Sequence, residues 1–182
     1  LKLISLIMKN LLIISSTKNS NFQLSQEIKS FFDKKGNISS SVISLEEFDL
    51  PLFKPSLEEN FKKNNSFPTD IEKIKNKILS SDALVWCSPE YNGGVSPVLT
   101  NVIAWISRAT EDWKDGFKDK HSLICTSSGG NGLNFVKGFS LQLNYLGSHV
   151  MEESIVKTKK KDLNTNEFEG ILLKFHDKFI HS

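Results

Sequence analysis

Cysteine is nearly absent. The chain carries only Cys87 and Cys125, with no CxxC pair, each inside an apolar stretch. That excludes a disulfide scaffold and reads as two buried, inert thiols in a reducing, cytoplasmic setting rather than a redox couple. Long apolar runs are missing too, since nothing approaches the roughly 18 residues that announce a membrane span. Leu1 to Ile14 is mostly apolar, but Lys9 and Asn10 interrupt it and no small-residue cleavage site follows, so it does not read as a secretory leader. With Met8 inside this stretch, residues 1–8 read as a non-native or disordered extension. Strong charge of either sign is lacking: a net charge of +2 offers neither a basic field for nucleic acid nor an acidic surface. The GxxxxGK[ST] loop is absent, which argues against nucleotide triphosphate hydrolysis, and so are HExxH and GxSxG. The four histidines (His121, His149, His176 and His181) are scattered, as surface or structural residues are.

What is present is the pattern of an ordinary core. At 182 residues and 38% hydrophobic content, the chain suffices for one domain over residues 1–182. Leu11 to Ser15 is a short branched run, as expected of a strand buried on both faces. Phe22, Leu24, Ile28, Phe31 and Phe32 recur at helical spacing from Asn21 to Asp33, with Gly36 closing the helix. A second strand is expected at Ser41 to Leu45, then irregular chain from Phe48 to Pro55. Ile71, Ile74, Ile78 and Leu79 share a face of a helix capped by Thr69 or Asp70. Ala83 to Cys87 and Ser122 to Thr126 read as the third and fourth strands, followed by helices from Pro97 to Arg108 and up to Leu146. Val150 to Lys157 supplies a fifth strand and Phe168 to Phe179 a last helix. This alternation predicts an α/β three-layer sandwich with a mainly parallel sheet. The charge run from Lys157 to Asp162 reads as a solvated loop.

The loops rich in Ser, Gly and Asn follow the first, third and fourth strands, which gathers them at one edge of such a sheet. Ligands of open α/β sheets bind outside the carboxyl ends of the strands, near the point where strand order reverses. Ser15 to Asn21 leads into a helix start, where hydroxyls, amides and backbone N–H groups, with Lys18, can cradle a phosphate dianion. An ordinary capping loop has the same composition. In Ser88 to Gly94, Gly93 and Gly94 let the backbone approach a flat ligand, although a plain turn needs them as well. Ser127 to Gly132 can form the opposite rim. Its Gly130-Asn131-Gly132 begins like GxGxxG, but Phe135 stands where the last glycine belongs, so a Rossmann dinucleotide site is set aside.

Ser15-Ser-Thr-Lys-Asn-Ser-Asn21, Pro89-Glu-Tyr-Asn-Gly-Gly94, Leu99-Thr-Asn-Val-Ile-Ala-Trp105 and Ser128-Gly-Gly-Asn-Gly132, in this order, resemble the NAD(P)H-dependent FMN reductase family, which includes quinone, azo-dye and chromate reductases. The resemblance implies a flavodoxin-like fold with a five-stranded parallel sheet of order 2-1-3-4-5. It implies FMN, with Ser16, Lys18, Ser20, Asn21 and Gln23 around the phosphate. Pro89, Glu90, Tyr91, Asn92 and Gly93 would line the isoalloxazine, and Ser127, Ser128, Gly129 and Gly130 would flank it. NAD(P)H would be the co-substrate, giving a hydride that FMN passes to a quinone, azo compound, metal oxyanion or free flavin. The flavin carries that chemistry, so no catalytic side chain is expected. Family members are usually homodimers or homotetramers with the flavin near the subunit interface, and no nucleic-acid or membrane partner is expected. Glu90 is expected to fix its loop, Tyr91 either to pack on the ring or to fill the loop's core side, Trp105 and Ile106 to pack their helix on the sheet or a partner, and Trp113 to stay exposed. The chain departs from the family pattern at Ser15, where glycine is common, at Lys18 in place of arginine, and at Ala104 in place of aspartate. Two other readings of the fold stay open: an electron-carrier flavodoxin, whose strongly acidic surface is missing here, and a cofactor-less binding or scaffold protein.

Overall fold

A computed structural model describes residues 8–160 and 163–182; of the expected extension only Met8 falls within it, and the last two residues of the charge run lie outside. Strands β1 (Lys9–Ser15), β3 (Ala83–Cys87) and β4 (His121–Ser128) form the centre of the sheet, with β2 (Ile38–Ser44) along one edge. The other edge, expected as one strand over Val150 to Lys157, is broken into β5 (His149–Val150) and β6 (Ile155–Thr158), each paired with β4. Glu152 and Glu153 fall in the gap. A continuous strand would turn one of these carboxylates toward the core, whereas here Glu153 pairs with Lys174 at 2.6 Å. All pairings are parallel and the order is β2-β1-β3-β4-β5, with β6 also on β4. This is the flavodoxin-like 2-1-3-4-5 arrangement, its fifth position shared by two short segments.

Alternation along the strands divides the core. Leu11, Ile13, Val85, Cys87 and Cys125 face α1 (Ser20–Phe32) and α6 (Thr165–Ile180), where Phe32, Phe175 and Phe179 close the layer. Leu12, Ile14, Leu84, Trp86 and Ile124 face α3 (Thr69–Leu79), α4 (Pro97–Ala109) and α5 (Leu133–Tyr145). Strands buried on both faces cannot show a polar period, which is why their sequences are unbroken apolar runs. The buried Trp86 satisfies its indole N–H on the Ser122 hydroxyl at 3.3 Å.

Several local expectations are corrected. Pro68, not Thr69 or Asp70, occupies the cap position of α3, and the Asp70 carboxylate accepts the Asp49 N–H at 2.9 Å instead. Leu79 turns outward, 41% exposed. Helix α1 ends through the Asp33 N–H on the Lys29 carbonyl, and Gly36 does not take the left-handed conformation. An unforeseen helix, α2 (Pro55–Lys63), follows the irregular stretch. Pro55 at its first turn and Lys62 and Lys63 in its last suit a helix start and end, but it buries no residue fully and, besides Pro55, carries only Leu57 and Phe61 as apolar residues. Phe61 anchors it 5.6 Å from the Trp105 ring.

Two outcomes follow from this packing. Gly132 has φ +71°, and a Cβ there would lie 2.7 Å from Thr126 Cγ2, while Gly129 has nothing within 4 Å. Gly132→Ala is therefore expected to cost about 2 kcal/mol in urea denaturation, and Gly129→Ala less than about 0.5 kcal/mol. At the opposite, amino-terminal edge, partial burial, the His149 ring and the Lys178 ammonium hold the His121 imidazole below its ordinary range. The unfolded chain then binds this proton more readily, so stability is present above about pH 6.5 and falls as the pH drops below it. His121→Gln is expected to flatten that part of the stability profile; an unchanged slope would contradict the assignment.

Candidate active site

The register brings three loops to one level. Ser15 ends β1 opposite Ser44 of β2 and Cys87 of β3, and β4 runs on to Ser128. Main-chain pairing continues past the strand ends: the Ser16 N–H donates to the Cys87 carbonyl at 2.9 Å and the Ser88 N–H to the Cys125 carbonyl at 3.1 Å. A buried hydroxyl chain then ties the loops together, Ser16 donating to Ser88 at 2.9 Å and Ser88 to Ser96 at 3.0 Å. In the sequence Ser88 marks only the start of the second loop, and nothing singles out Ser96. They flank the Pro89–Gly94 motif, and only the fold shows that their hydroxyls meet.

In the first loop, the fully buried Ser15 hydroxyl donates to the Thr17 carbonyl at 2.7 Å, so the residue that departs from glycine gains a local bond. The Thr17 hydroxyl donates to Asn19 Oδ1 at 2.6 Å, and Asn19, at the cap position of α1, caps nothing with its side chain. The N–H groups of Ser20 and Asn21 consequently have no acceptor among the described residues. They sit at the positive end of a helix, a donor arrangement suited to an anion. The Asn21 carboxamide is spent elsewhere: it donates to the Ser127 carbonyl at 2.9 Å and accepts the Ser127 N–H at 2.8 Å. Lys18, Ser20 and Gln23 are exposed. Lys18 lies between two acids that sequence inspection did not single out, its N–H 3.2 Å from Glu46 Oε2 and its ammonium 3.8 Å from Glu47 Oε1. No local signal marks these acids, because β2 and its following turn reach β1 only through the sheet.

In the second loop, Asn92 (φ +49°) and Gly93 (φ +72°) form the centre of a tight hairpin closed by N–H to carbonyl bonds between Tyr91 and Gly94, of 3.2 and 2.9 Å. Two positive φ angles define a type I′ turn, which Asn-Gly favours. Pro89 is half-buried. Tyr91 is 46% exposed, so it does not fill the loop's core side. Glu90 Oε2 accepts the N–H groups of Asn134 and Phe135 at 2.9 and 3.1 Å. A carboxylate on the first turn of α5 complements the helix dipole, and it fixes the second loop to the third. That third loop leaves β4 at the half-buried Ser127 and Ser128 and exposes Gly129 and Gly130.

Other candidates take structural places. Trp105 packs not on the sheet but on the segment before and after α2, its indole N–H on the Pro51 carbonyl at 2.7 Å and its ring 5.0 Å from Phe53. Ile106 is buried in the core. Trp113 is 38% exposed and lies 5.5 Å from the Tyr145 ring. Ala104 lines a groove with Ser107, Trp113 and Tyr145, where an aspartate would introduce a carboxylate. Both thiols are buried, and desolvation, followed by the neighbouring Cys87, pushes the Cys125 thiol well up, away from thiolate chemistry. Among the described residues no three His, Cys, Asp or Glu side chains gather to hold a metal, and no helix is long and apolar enough to cross a membrane. The edge therefore offers N–H donors, hydroxyls and glycine-bearing turns, without an acid–base pair. That set fits FMN: α1 donors for the phosphate and glycine-bearing loops for a flat ring.

Comparison with known proteins agrees. Residues 8–162 match the NADPH-dependent FMN reductase family. An NADPH:quinone oxidoreductase of Arabidopsis thaliana is 37% identical over 83 residues, which are 46% of this chain and 38% of that protein. The flavoenzyme FerB, an NAD(P)H:(acceptor) oxidoreductase of Paracoccus denitrificans, superposes with a TM-score of 0.73 at 18% identity, covering 96% of both chains. A flavodoxin from the domain Archaea has the same fold, with a TM-score of 0.64 at 11% identity over 96% of this chain and 100% of its own. With the match running from residue 8 to residue 162, well over half of the chain, the chain belongs to the NADPH-dependent FMN reductase family.

Proposed function

We propose that the chain binds FMN non-covalently across the three loops and passes a hydride from NAD(P)H through it to a small oxidant, such as a quinone, an azo compound, a metal oxyanion or free flavin. The observation that carries this reading is the open amino end of α1, with the N–H groups of Ser20 and Asn21 unpartnered among the described residues, on a loop that Ser16 ties to the loop carrying the Asn92–Gly93 turn. Ser20 and Asn21 would hold the phosphate through the main chain, Lys18 through charge and Gln23 from the next turn, while Ser16 shapes the loop through Ser88. Pro89 to Gly93 would line the ring, and Ser127 to Gly130 would flank it. When bound, FMN supplies the hydride-accepting and hydride-donating centre. The chain's part is to hold the ring with one face open and to aim main-chain N–H groups where negative charge develops on reduction. No side chain needs to move a proton, and Glu90 is committed to α5.

The electron-carrier alternative lacks support from surface charge, since the chain is close to neutral at +2. A homodimer or homotetramer belongs to the same proposal. Tyr145 is 74% exposed on the rim of the groove containing Ala104 and Trp113, and the nearby Leu141 is 73% exposed, apolar surface that a second copy would cover. Two buried, unpaired thiols suit a reducing, cytoplasmic compartment.

The test is an absorbance spectrum of the purified protein with FMN, before and after anaerobic NADPH. Retained flavin that bleaches is expected. No retained flavin would favour the scaffold alternative, and flavin that no nicotinamide reduces would favour the carrier. The acids beside Lys18 give a second outcome, since a phosphate dianion there meets the Glu46 carboxylate. Glu46→Gln is expected to tighten FMN about threefold at low ionic strength, with the gain fading as salt screens the repulsion. Weaker FMN binding in this variant, read by flavin fluorescence, would contradict the placement of the phosphate.

A further inference from the structure

Next to the first loop lies an open cleft that shares its Ser20 and Ser127–Gly129 wall with the proposed flavin site, while its lysine wall has no part in the flavin reading. It opens between Ser20 at the start of α1, the Ser127–Gly129 end of β4, and Lys157, Lys159 and Lys160 at the end of β6. The register explains the concentration of charge. Lys157 pairs with Ser127 and Thr158 with Ser128, so the lysines emerge at the carboxyl edge where ligands of α/β sheets lie. Lys157 is held in place, its ammonium 2.6 Å from Glu27 and 5.3 Å from the centre of the Phe168 ring. Lys159 and Lys160 are exposed. Among the described residues no Asp or Glu lines the cavity, and the serines add hydroxyls to its wall. In a chain with a net charge of only +2, the exposed Lys159 and Lys160 beside a wall with no lining carboxylate among the described residues are a local excess, the Lys157 charge being matched by Glu27. The charge run expected to be a plain solvated loop thus begins inside β6 and borders an open cleft.

We propose that this cavity is a phosphate-monoester subsite that takes the 2′-phosphate of NADPH and so sets a preference for NADPH over NADH. The inference rests on NAD(P)H being the reductant. The two dinucleotides differ only in that phosphate, so an enzyme that separates them must place positive charge or hydrogen-bond donors where it lies. A phosphate monoester carries close to two negative charges at neutral pH, and lysine is an effective point-charge partner for it. A ribose hydroxyl in its place leaves the exposed lysines solvated, so NADH is not repelled; it only lacks the attraction. The subsite is separate from the flavin phosphate position. That position relies on main-chain donors of α1 and on Lys18, while this one relies on Lys157 of β6 and on Lys159 and Lys160 just after it; Ser20 borders both, and Ser127 to Gly129 line this cleft as well as flanking the proposed ring.

The test is calorimetric titration of the FMN-loaded protein with adenosine 2′,5′-bisphosphate, adenosine 5′-monophosphate and inorganic phosphate, in the natural sequence and in a K159S/K160S double variant. The natural protein is expected to bind the bisphosphate at least about tenfold tighter than the monophosphate, and the variant less than about threefold tighter. FMN affinity is expected to stay within about twofold, and the ratio of KM for NADPH to KM for NADH to rise about tenfold. Equal affinity for the two adenosine phosphates in the natural protein, or a preference that survives in the variant, would overturn the proposal. Inorganic phosphate binding as tightly as the bisphosphate would assign the cavity to free phosphate. A variant that loses FMN instead would assign it to the flavin's own phosphate. If the protein takes up no flavin, the same titration on the flavin-free chain still reads this subsite, so the two readings fail separately.

Discussion

The fully buried carboxamide of Asn21 holds the candidate site in one piece. Both of its polar ends are satisfied by the main chain of Ser127, 106 residues away, so the first turn of α1 is fixed to the end of β4. Leaving such a pair half-made in the interior costs roughly 1–3 kcal/mol, enough to make the arrangement strongly preferred. Because the side chain of Asn21 faces inward, its N–H and that of Ser20 are left at the open end of the helix. The Ser16, Ser88 and Ser96 hydroxyls do the same for the first and second loops, and Glu90 does it for the second and third. The three loops are thus locked to one another by groups that need touch no ligand, and the groups that remain open are main-chain donors and glycines. Such a frame is preorganised: its donors already point where a ligand's charge would sit.

Much of this was legible in the sequence, for a physical reason. Strands β1, β3 and β4 are buried on both faces, so their unbroken apolar runs and the intervening helical periods declare a parallel sheet, and with it the edge where ligands go. A turn after β3 was legible from its glycines, but its centre falls on Asn92–Gly93, a pair that accepts two positive φ angles, rather than on Gly93 and Gly94. Contacts between distant segments were not. Glu46 reaches Lys18 only because β2 lies beside β1, and the Lys157 register depends on β6 pairing where the expected single strand breaks at Glu152 and Glu153. Helix α2 escaped notice because it buries no residue fully. Asn21 showed the subtler gap. Its place in the loop at the carboxyl edge was legible, but that its side chain turns to Ser127 depended on the other end of the clamp.

The departures from the family pattern have different consequences. Ser15 adds a bond to Thr17 and fits without strain. Ala104 keeps an exposed groove apolar. Lys18 would matter most for binding a phosphate, because it supplies a point charge without the bidentate fork of arginine and shares that charge with Glu47, while Glu46 takes its main-chain N–H. A phosphate bound at this loop would therefore rely on main-chain donors more than on side-chain charge. A loop so arranged tolerates exchange of its lysine better than loss of its helix-start geometry.

That dependence on main-chain donors can be observed directly in the amide spectrum of isotope-labelled protein titrated with FMN. The account predicts that the largest shifts fall on the N–H groups of Ser20, Asn21, Asn92, Gly93, Gly129 and Gly130. Shifts confined to the groove around Trp113 and Tyr145, or no shifts at saturating FMN, would contradict it.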